Sequence, residues 1–318
     1  MQNLREIRQL LLSEGFRPNK GLGQSFLIDG NLMRKLVDLA DLTGAEIVLE
    51  VGSATGSLTE ELLLRAKKVV AVEVDRVLAG ILQRRLAGRE NLIIINRSIL
   101  AGKQKVAPEV LQVLSNQFDD SGEVHLVANL PFCVAVPVIM NCLILSWRAI
   151  QAASESDKKE AMLFTRLTFT VQQELAERLT ASPGQRAYGS ISVIAALLSR
   201  IKASTIIPPQ AFWPRPEVFS RMIRMDFNEE SARKIKNIDV LKKLLSSTFR
   251  HRRKKIATIA RYKDFPFPAE QFLTALRSVG VDPSARPDKV GPEAYLVLAN
   301  ELAGQAHFGD QTSLNRVE

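Results

Sequence analysis

The sequence predicts an α/β fold in which helices cover both faces of a mostly parallel sheet. Short runs rich in valine, isoleucine and leucine alternate along the chain with segments whose apolar residues recur at helical spacing. These runs are apolar throughout, as in strands that are buried on both faces of a sheet. The resulting order, β-α-β-α-β-α-β, is typical of parallel sheets with helical connections.

The first half of the chain contains four predicted strands separated by helices. A helix over residues 31–42 precedes the first strand. Ser57, followed three residues later by Glu60, matches a capping box and predicts the start of the next helix. The strands are 46–52, 68–75, 91–96 and 124–130, and the later helices are 57–66, 76–88, part of 106–118, and 134–149.

Two further helices, over 166–181 and 191–201, follow the fourth strand. Runs over 204–209 and 219–227 predict two strands, which we expect to form a hairpin at the end of the sheet. The rest of the chain is helical and charged. We therefore expect an α/β domain over 1–228, an all-helical domain over 229–305 and a polar tail over 306–318.

The composition predicts a soluble intracellular protein. Hydrophobic residues make up 46% of the 318 residues, which is enough for a substantial core. Residues 1–20 have no apolar segment of a secretory signal, and the longest apolar stretch, 133–147, is too short to span a bilayer. Two cysteines without a C-x-x-C pair and three scattered histidines predict neither a disulfide nor a metal site.

The positive charge of the chain is concentrated in one segment. Lys and Arg exceed Asp and Glu by nine, and residues 241–263 contain nine Lys and Arg without an acidic residue. A concentrated basic segment is the expected footprint of a polyanion. The candidate contacts are Arg250, Arg252, Arg253, Lys254 and Lys255.

The connection after the first strand, EVGSATGSL over residues 50–58, has the glycines of a ligand-binding turn. Its spacing fits neither the G-x-G-x-x-G of dinucleotide sites nor a Walker loop. Glu50, Gly52 and Gly56 follow E-x-G-x-x-x-G instead, and Glu73 ends the second strand, where a carboxylate accepts hydrogen bonds from ribose hydroxyls. Each feature alone also fits a generic turn and a solvated glutamate. Together they favour an adenosine cofactor without a pyrophosphate, S-adenosyl-L-methionine.

The fourth strand ends in the sequence NLPF, residues 129–132. By itself, an apolar run that stops at Asn and Pro is an ordinary strand end. In a parallel sheet, however, this end lies on the same edge as the glycine loop, where ligands bind. The Asn129 amide oxygen and the Leu130 carbonyl suit the two N–H groups of an adenine amine. Pro131 stiffens the turn, and Phe132 suits stacking on a base that is unpaired or flipped out.

Motifs along most of the chain resemble those of one family. The matching segments, in the family's order and at about its spacing, are NKGLGQSFLID (19–29), VLEVGSATGSLT (48–59), VVAVEVD (69–75), ANLPF (128–132), QQELAERL (172–179), YGSISV (188–193), PPQAFWPRPEVFS (208–220) and FRHRRKK (249–255). They are similar to those of the small-subunit (16S) ribosomal RNA adenine N6,N6-dimethyltransferases, the kasugamycin-sensitivity methylases.

The resemblance implies a Rossmann-like class I methyltransferase fold with seven strands, the last antiparallel, and a small helical C-terminal domain. It implies that S-adenosyl-L-methionine is used to dimethylate two adjacent adenosines near the 3′ end of small-subunit rRNA, in an assembling 30S subunit. RNA is then the polyanion that the basic segment binds. We expect a cytoplasmic monomer that uses neither a membrane nor a metal.

The resemblance also implies cofactor contacts by position. They fall on Ser25, Leu27, Gly52, Glu73, Ser98 and Asn129. The family usually has Asn at Ser25, Gly-Pro-Gly at 52–54, Asp at Ser98 and Tyr at Phe132, whereas 52–54 reads Gly-Ser-Ala here. We expect the departures at Ser25, at 52–54 and at Ser98 to weaken binding of the free cofactor without changing its identity, whereas stacking tolerates Phe132.

Two other functions fit parts of the sequence. Large-subunit rRNA adenine methylases of the macrolide-resistance type share the Asn-x-Pro-aromatic motif, but the segments QSFLID and AFWPRPEVFS look more like the small-subunit family. A ribosome-assembly factor that binds RNA without catalysis would also tolerate the departures, although Glu73 and NLPF argue against it.

Overall fold

The chain forms two compact units. The computed structural model describes residues 2–18, 23–118, 123–152 and 162–304. The first unit comprises residues up to 180 and 198–229, and the second comprises 181–197 and the chain from 230 onward. Residues 181–197 thus belong to the second unit, although they precede the expected boundary at 229. The expected polar tail, 306–318, lies outside the described residues.

Seven strands form the main sheet of the first unit, in the order β4-β3-β2-β7-β8-β11-β9. Two small sheets pair β1 with β10 and β5 with β6. The strands are β1 Phe26–Leu27, β2 Ile47–Val51, β3 Lys68–Glu73, β4 Leu92–Asn96, β5 Leu100–Ala101, β6 Lys105–Val106, β7 Glu123–Asn129, β8 Leu163–Gln172, β9 Ser199–Ile207, β10 Phe212–Trp213 and β11 Ser220–Phe227.

The main sheet is mostly parallel. Adjacent strands from β4 to β8 run in the same direction, and β11 runs antiparallel to both of its neighbours, β8 and β9. The predicted α/β class and the antiparallel last strand are therefore confirmed. Because β2, β3, β4 and β7 are parallel and adjacent, the turns after their carboxyl ends meet at one edge.

Helices cover the sheet and build most of the second unit. They are α1 Leu4–Ser13, α2 Gly30–Ala40, α3 Ser57–Leu63, α4 Arg76–Arg85, α5 Pro108–Ser115, α6 Ala135–Ala152, α7 Gln173–Thr180, α8 Ser190–Leu198, α9 Glu229–Arg233, α10 Ile238–Arg250, α11 Ile256–Ile259, α12 Ala269–Ser278 and α13 Pro292–Gly304. In the second unit, α13 packs against both α10 and α12. The helix α1 was not predicted.

The predicted helix over 166–181 is wrong in its first half. Residues up to Gln172 belong to β8, and only Gln173–Thr180 is helical. The strand lies between β7 and β11, so both of its edges are hydrogen-bonded and most of its residues are buried. Burial between two strands favours the β-branched residues of LTFTV in an extended conformation, which outweighs their helical spacing.

Two other predicted helices form, but their ends differ from the prediction. Ser57 does not cap α3, because Gly56 is the residue before the helix, and the Ser57 hydroxyl donates a hydrogen bond to the side chain of Gln2. The helix predicted over 191–201 ends at Leu198, where β9 begins. The predicted strand pair does form between β9 and β11.

The helix α6 is long and apolar enough to cross a membrane by length and composition alone. It packs against β8, and Val138, Ile139, Cys142 and Leu143 on it are fully buried. A core helix of a sheet protein passes the same test, and these contacts place α6 in the layer that covers the sheet.

Candidate active site

A cavity opens at the carboxyl edge of the sheet, within the first unit. The turns after β2, β3, β4 and β7 line it, and β1 and α1 close it. Several residues that the sequence singled out line this cavity: Ser25, Leu27, Glu50, Gly52, Glu73, Ser98, Asn129 and Pro131.

Three expected residues do not line the described wall of this cavity. A Cβ atom on Gly56 would collide with Leu82, so this glycine lets α3 pack closely on α4. The Leu130 side chain is buried, which leaves only its backbone to reach a ligand. Phe132 lies one residue beyond the lining residue Pro131 and is half-buried.

Gly52 brings the first loop against the NLPF turn. Its φ of +78° lies in the left-handed region, which favours glycine. A Cβ atom there would lie 2.8 Å from Cγ of Pro131. Only a residue without a side chain therefore permits this close approach of the turns after β2 and β7.

The Glu73 carboxylate ties the end of β3 to the glycine loop. One oxygen accepts the N–H of Ala54 at 2.8 Å and the other accepts the N–H of Asp75 at 2.9 Å. The side chain is only 4% exposed, and burial raises its pKa, while these two backbone donors act in the opposite direction. Ala54, with φ of +52°, holds the left-handed conformation that a glycine would adopt more easily.

Glu50 is the second carboxyl group at the cavity. It is 1% exposed, and one carboxyl oxygen accepts the Thr59 hydroxyl at 2.6 Å. Burial raises the pKa of Glu50 to about 8, the Thr59 hydrogen bond opposes this rise, and the charge of Glu73 adds to it. Glu50 is therefore largely protonated at neutral pH in the structure as it stands.

The side-chain amide of Asn129 is held at both ends. Its nitrogen, Nδ2, donates to the backbone carbonyl of Ser25 at 3.0 Å. Its oxygen, Oδ1, accepts the hydroxyl of Thr170 on β8. Thr170 was not predicted from the sequence, because its segment was expected to be a helix instead of a strand beside β7.

Ser25 reaches the site through its backbone. Its carbonyl binds Asn129, while its hydroxyl donates to the Pro214 carbonyl at 2.9 Å. The pairing of Phe26 with Trp213, through β1 and β10, holds this segment in place, and the two rings stack with centroids 6.0 Å apart. A serine here thus connects NLPF to the AFWP segment.

Ser98 and Arg97 line the cavity after β4. The Ser98 hydroxyl oxygen accepts the Leu100 N–H at 3.1 Å, which shapes the turn. The Arg97 guanidinium pairs with Glu109 at 2.7 Å, and its Nε atom is buried without a hydrogen-bond partner in the described residues. Arg97 was not predicted from the sequence, since no motif marks it.

Apolar side chains complete the cavity. They come from α1, β1, α4 and the turn after β4, and include Ile7, Phe26, Leu78 and Ile99. Ile7, Phe26 and Leu78 also belong to one buried cluster, so α1 is fixed at the cavity by packing. This contribution could not be predicted because the helix itself was not recognised.

In the second unit, the predicted basic residues lie at the end of α10 and in the turn between α10 and α11. Arg250 pairs with Asp264 at 2.9 Å, and Arg252 lies 3.7 Å from Asp288. Arg253 and Lys254 are exposed and have no acidic partner in the part of the chain that the structure describes.

Most of the chain matches known proteins at the level of sequence. A family model described as "Ribosomal RNA adenine dimethylase" matches residues 15–304. The chain belongs to the ribosomal RNA adenine dimethylase family. Relatives within this dimethylase family include the "Ribosomal RNA small subunit methyltransferase A" of Anoxybacillus flavithermus, which is 32% identical over 93% of this chain and 94% of its own length. The protein of the same name from Clostridium perfringens is also 32% identical, with the same two coverages.

Solved structures of other methyltransferases share the fold of this dimethylase-family chain. A dimethyladenosine transferase from Plasmodium falciparum superimposes with a TM-score of 0.67, at 23% identity, over 87% of this chain and 96% of the other. The 23S rRNA methyltransferase ErmE gives a TM-score of 0.59 at 22% identity, over 87% and 99%. At these identities the likeness concerns the fold alone.

Proposed function

We propose that this protein dimethylates N6 of two adjacent adenosines near the 3′ end of small-subunit rRNA, using S-adenosyl-L-methionine, on the assembling 30S subunit in the cytoplasm. The observation that carries the proposal is the Asn129 amide at the carboxyl edge of the sheet, beside the Gly52 loop and Glu73. The names of the relatives support the choice of the small subunit.

The residues around the cavity fit S-adenosyl-L-methionine. The Glu73 carboxylate favours a cationic ligand, and the buried carboxyl groups of Glu50 and Glu73 accept hydrogen bonds from hydroxyl or ammonium groups. Leu78 and Ile99 provide apolar surface for a base. We assign Glu73, the Gly52 loop and Ser98 to binding the cofactor, which supplies a methyl group on a sulfonium.

The NLPF residues then orient the target amine. Adenine N6 is a weak nucleophile, because its lone pair is delocalised into the ring. Asn129 Oδ1 and the Leu130 carbonyl accept its two N–H groups, which directs the lone pair and helps to localise it. Pro131 holds the turn, and Phe132 stacks on the base. Catalysis here is mainly orientation by fixed dipoles.

The exposed basic turn of the second unit supplies phosphate contacts. Arg253 and Lys254 have no acidic partner among the described residues, so their charges remain available to RNA. Such contacts add affinity without reading sequence, and the choice of adenosine stays with the cavity.

Methyl transfer to purified ribosomal subunits tests this function. The protein is incubated with labelled S-adenosyl-L-methionine and unmethylated 30S subunits, with 50S subunits as the matched control, and modified nucleotides are mapped by mass spectrometry. We expect dimethyladenosine at two adjacent positions near the 3′ end of the small-subunit RNA. Label in 50S RNA alone would support the large-subunit activity instead. Binding to 30S subunits without transfer would support an assembly factor without catalysis.

A further inference from the structure

Thr170 contacts the amide at the centre of the candidate site. It lies on β8 directly opposite Asn129 on β7, and it is fully buried. Its hydroxyl donates a hydrogen bond to Oδ1 of Asn129. None of the sequence motifs of the chain includes Thr170.

The two contacts of Asn129 together specify one orientation of its amide. The oxygen and nitrogen ends of an amide have similar shapes but opposite hydrogen-bonding character. The Ser25 carbonyl can only accept, so it selects Nδ2, and the Thr170 hydroxyl donates to Oδ1. An amide oxygen has two lone pairs, and one remains for a ligand in the cavity.

We propose that Thr170 is a positioning residue for methyl transfer, which acts by keeping Oδ1 of Asn129 turned toward the target amine. Without the hydroxyl, only one of the two hydrogen bonds that distinguish the ends of the amide remains. A reversed amide would present N–H groups to the N–H groups of the substrate. This inference rests on the proposed function, because it assigns Asn129 to the amine.

The same strand contains a matched control. Thr168 lies two residues earlier on β8, opposite Val127, and it is also fully buried. Its hydroxyl has no hydrogen-bond partner among the described residues. Thr168→Val and Thr170→Val therefore both replace a buried hydroxyl with a methyl group on the same strand, but only Thr170→Val removes a hydrogen bond.

The test compares Thr170→Val, Thr170→Ser and Thr168→Val in two measurements. Steady-state methyl transfer to 30S subunits gives kcat and KM, and nuclear magnetic resonance follows the side-chain amide of Asn129, identified by its disappearance in Asn129→Ala. We expect Thr170→Val to lower kcat roughly tenfold, which is the change in rate that corresponds to the free energy of one hydrogen bond. KM should change little. Thr170→Ser restores kcat, and Thr168→Val behaves as the wild type.

The amide resonances separate this inference from the proposed function. Thr170→Val should shift the Asn129 side-chain signals, and Thr168→Val should leave them in place. Equal kcat in the two valine variants, or unshifted Asn129 signals in Thr170→Val, would overturn the role of Thr170. If the wild type transfers no methyl group to 30S subunits, the proposed function fails, and the resonances alone still decide whether Thr170 orients the amide.

Discussion

Glu50 is a carboxyl group that the fold keeps out of water. Its pKa is raised from 4.5 to about 8, so the folded chain binds a proton that the unfolded chain releases above pH 4.5. The contribution of Glu50 to the free energy of unfolding is therefore fully present below about pH 4.5 and is lost as the pH rises through 8. At high pH the folded state is destabilised because the buried carboxyl group of Glu50 is ionised.

We predict that Glu50→Gln stabilises the ligand-free protein at pH 8, because glutamine carries no charge. The midpoint of thermal unfolding should rise by at least about 2 °C, given that 1 kcal/mol corresponds to about 2–4 °C in a chain of this size. The gain should shrink at pH 5. The surface variant Glu90→Gln serves as the control, and an equal gain at both pH values in Glu50→Gln would argue against a buried proton.

Ser98 offers a neutral acceptor where the family usually has a carboxylate. Its oxygen already accepts the Leu100 N–H, and an aspartate could keep that bond while turning its second oxygen to the cavity. We predict that Ser98→Asp binds S-adenosyl-L-methionine about tenfold more tightly, which corresponds to one charge-assisted hydrogen bond. Calorimetric titration measures this. Ser98→Asn has the same size without the charge, and equal affinity of Ser98→Asp and Ser98→Asn would refute the prediction.

In the basic turn between α10 and α11, the structure reduces the number of basic residues that are available to bind RNA. The composition predicted five basic contacts, but Arg250 and Arg252 lie next to Asp264 and Asp288. Sequence could not show this pairing, because both acids lie outside the segment and reach it only through the fold. Arg253 and Lys254 are therefore the residues to test.

We predict that the double variant Arg253→Gln, Lys254→Gln weakens binding to 30S subunits and lowers the log–log salt slope by about two, roughly one unit for each phosphate that is no longer bound. The control Lys234→Gln, Lys242→Gln removes equal charge from lysines that pair with Glu230 and Asp239. Filter binding over a range of salt concentrations gives both slopes. Identical slopes for the two double variants would show that the turn does not bind RNA.

The central strands could be predicted because each is a continuous apolar run between glycines or polar residues. β8 could not, since LTFTV fits a helix or a strand equally well until β7 and β11 lie on either side of it. This error concealed Thr170, whereas Asn129 and Glu73 were found because they end strands that were recognised. α1 was missed, and with it the part of the cavity wall formed by Ile7.

On the scale of the whole molecule, the sheet order explains why distant segments form one site. The strands β3, β2 and β7 are neighbours, so Glu73, Gly52 and Asn129 meet although more than fifty residues separate Glu73 from Asn129. Motif spacing along the chain says which residues belong to the site. Only the register between strands says which atoms of those residues touch.

The proposed methyl transfer depends most on the amide oxygen of Asn129, which orients the amine that is methylated. The most direct test measures methyl transfer to 30S subunits and S-adenosyl-L-methionine binding by Asn129→Ala. The control is Asn91→Ala, which also removes an amide that donates to a backbone carbonyl, that of Leu63. Asn91 lies just before β4, whereas Ser98 follows the other end of this strand. We predict that Asn129→Ala lowers kcat on the order of 100-fold or more while it retains most cofactor binding, and that Asn91→Ala remains active. Transfer by a folded Asn129→Ala at the wild-type rate would show that Asn129 does not orient the target amine.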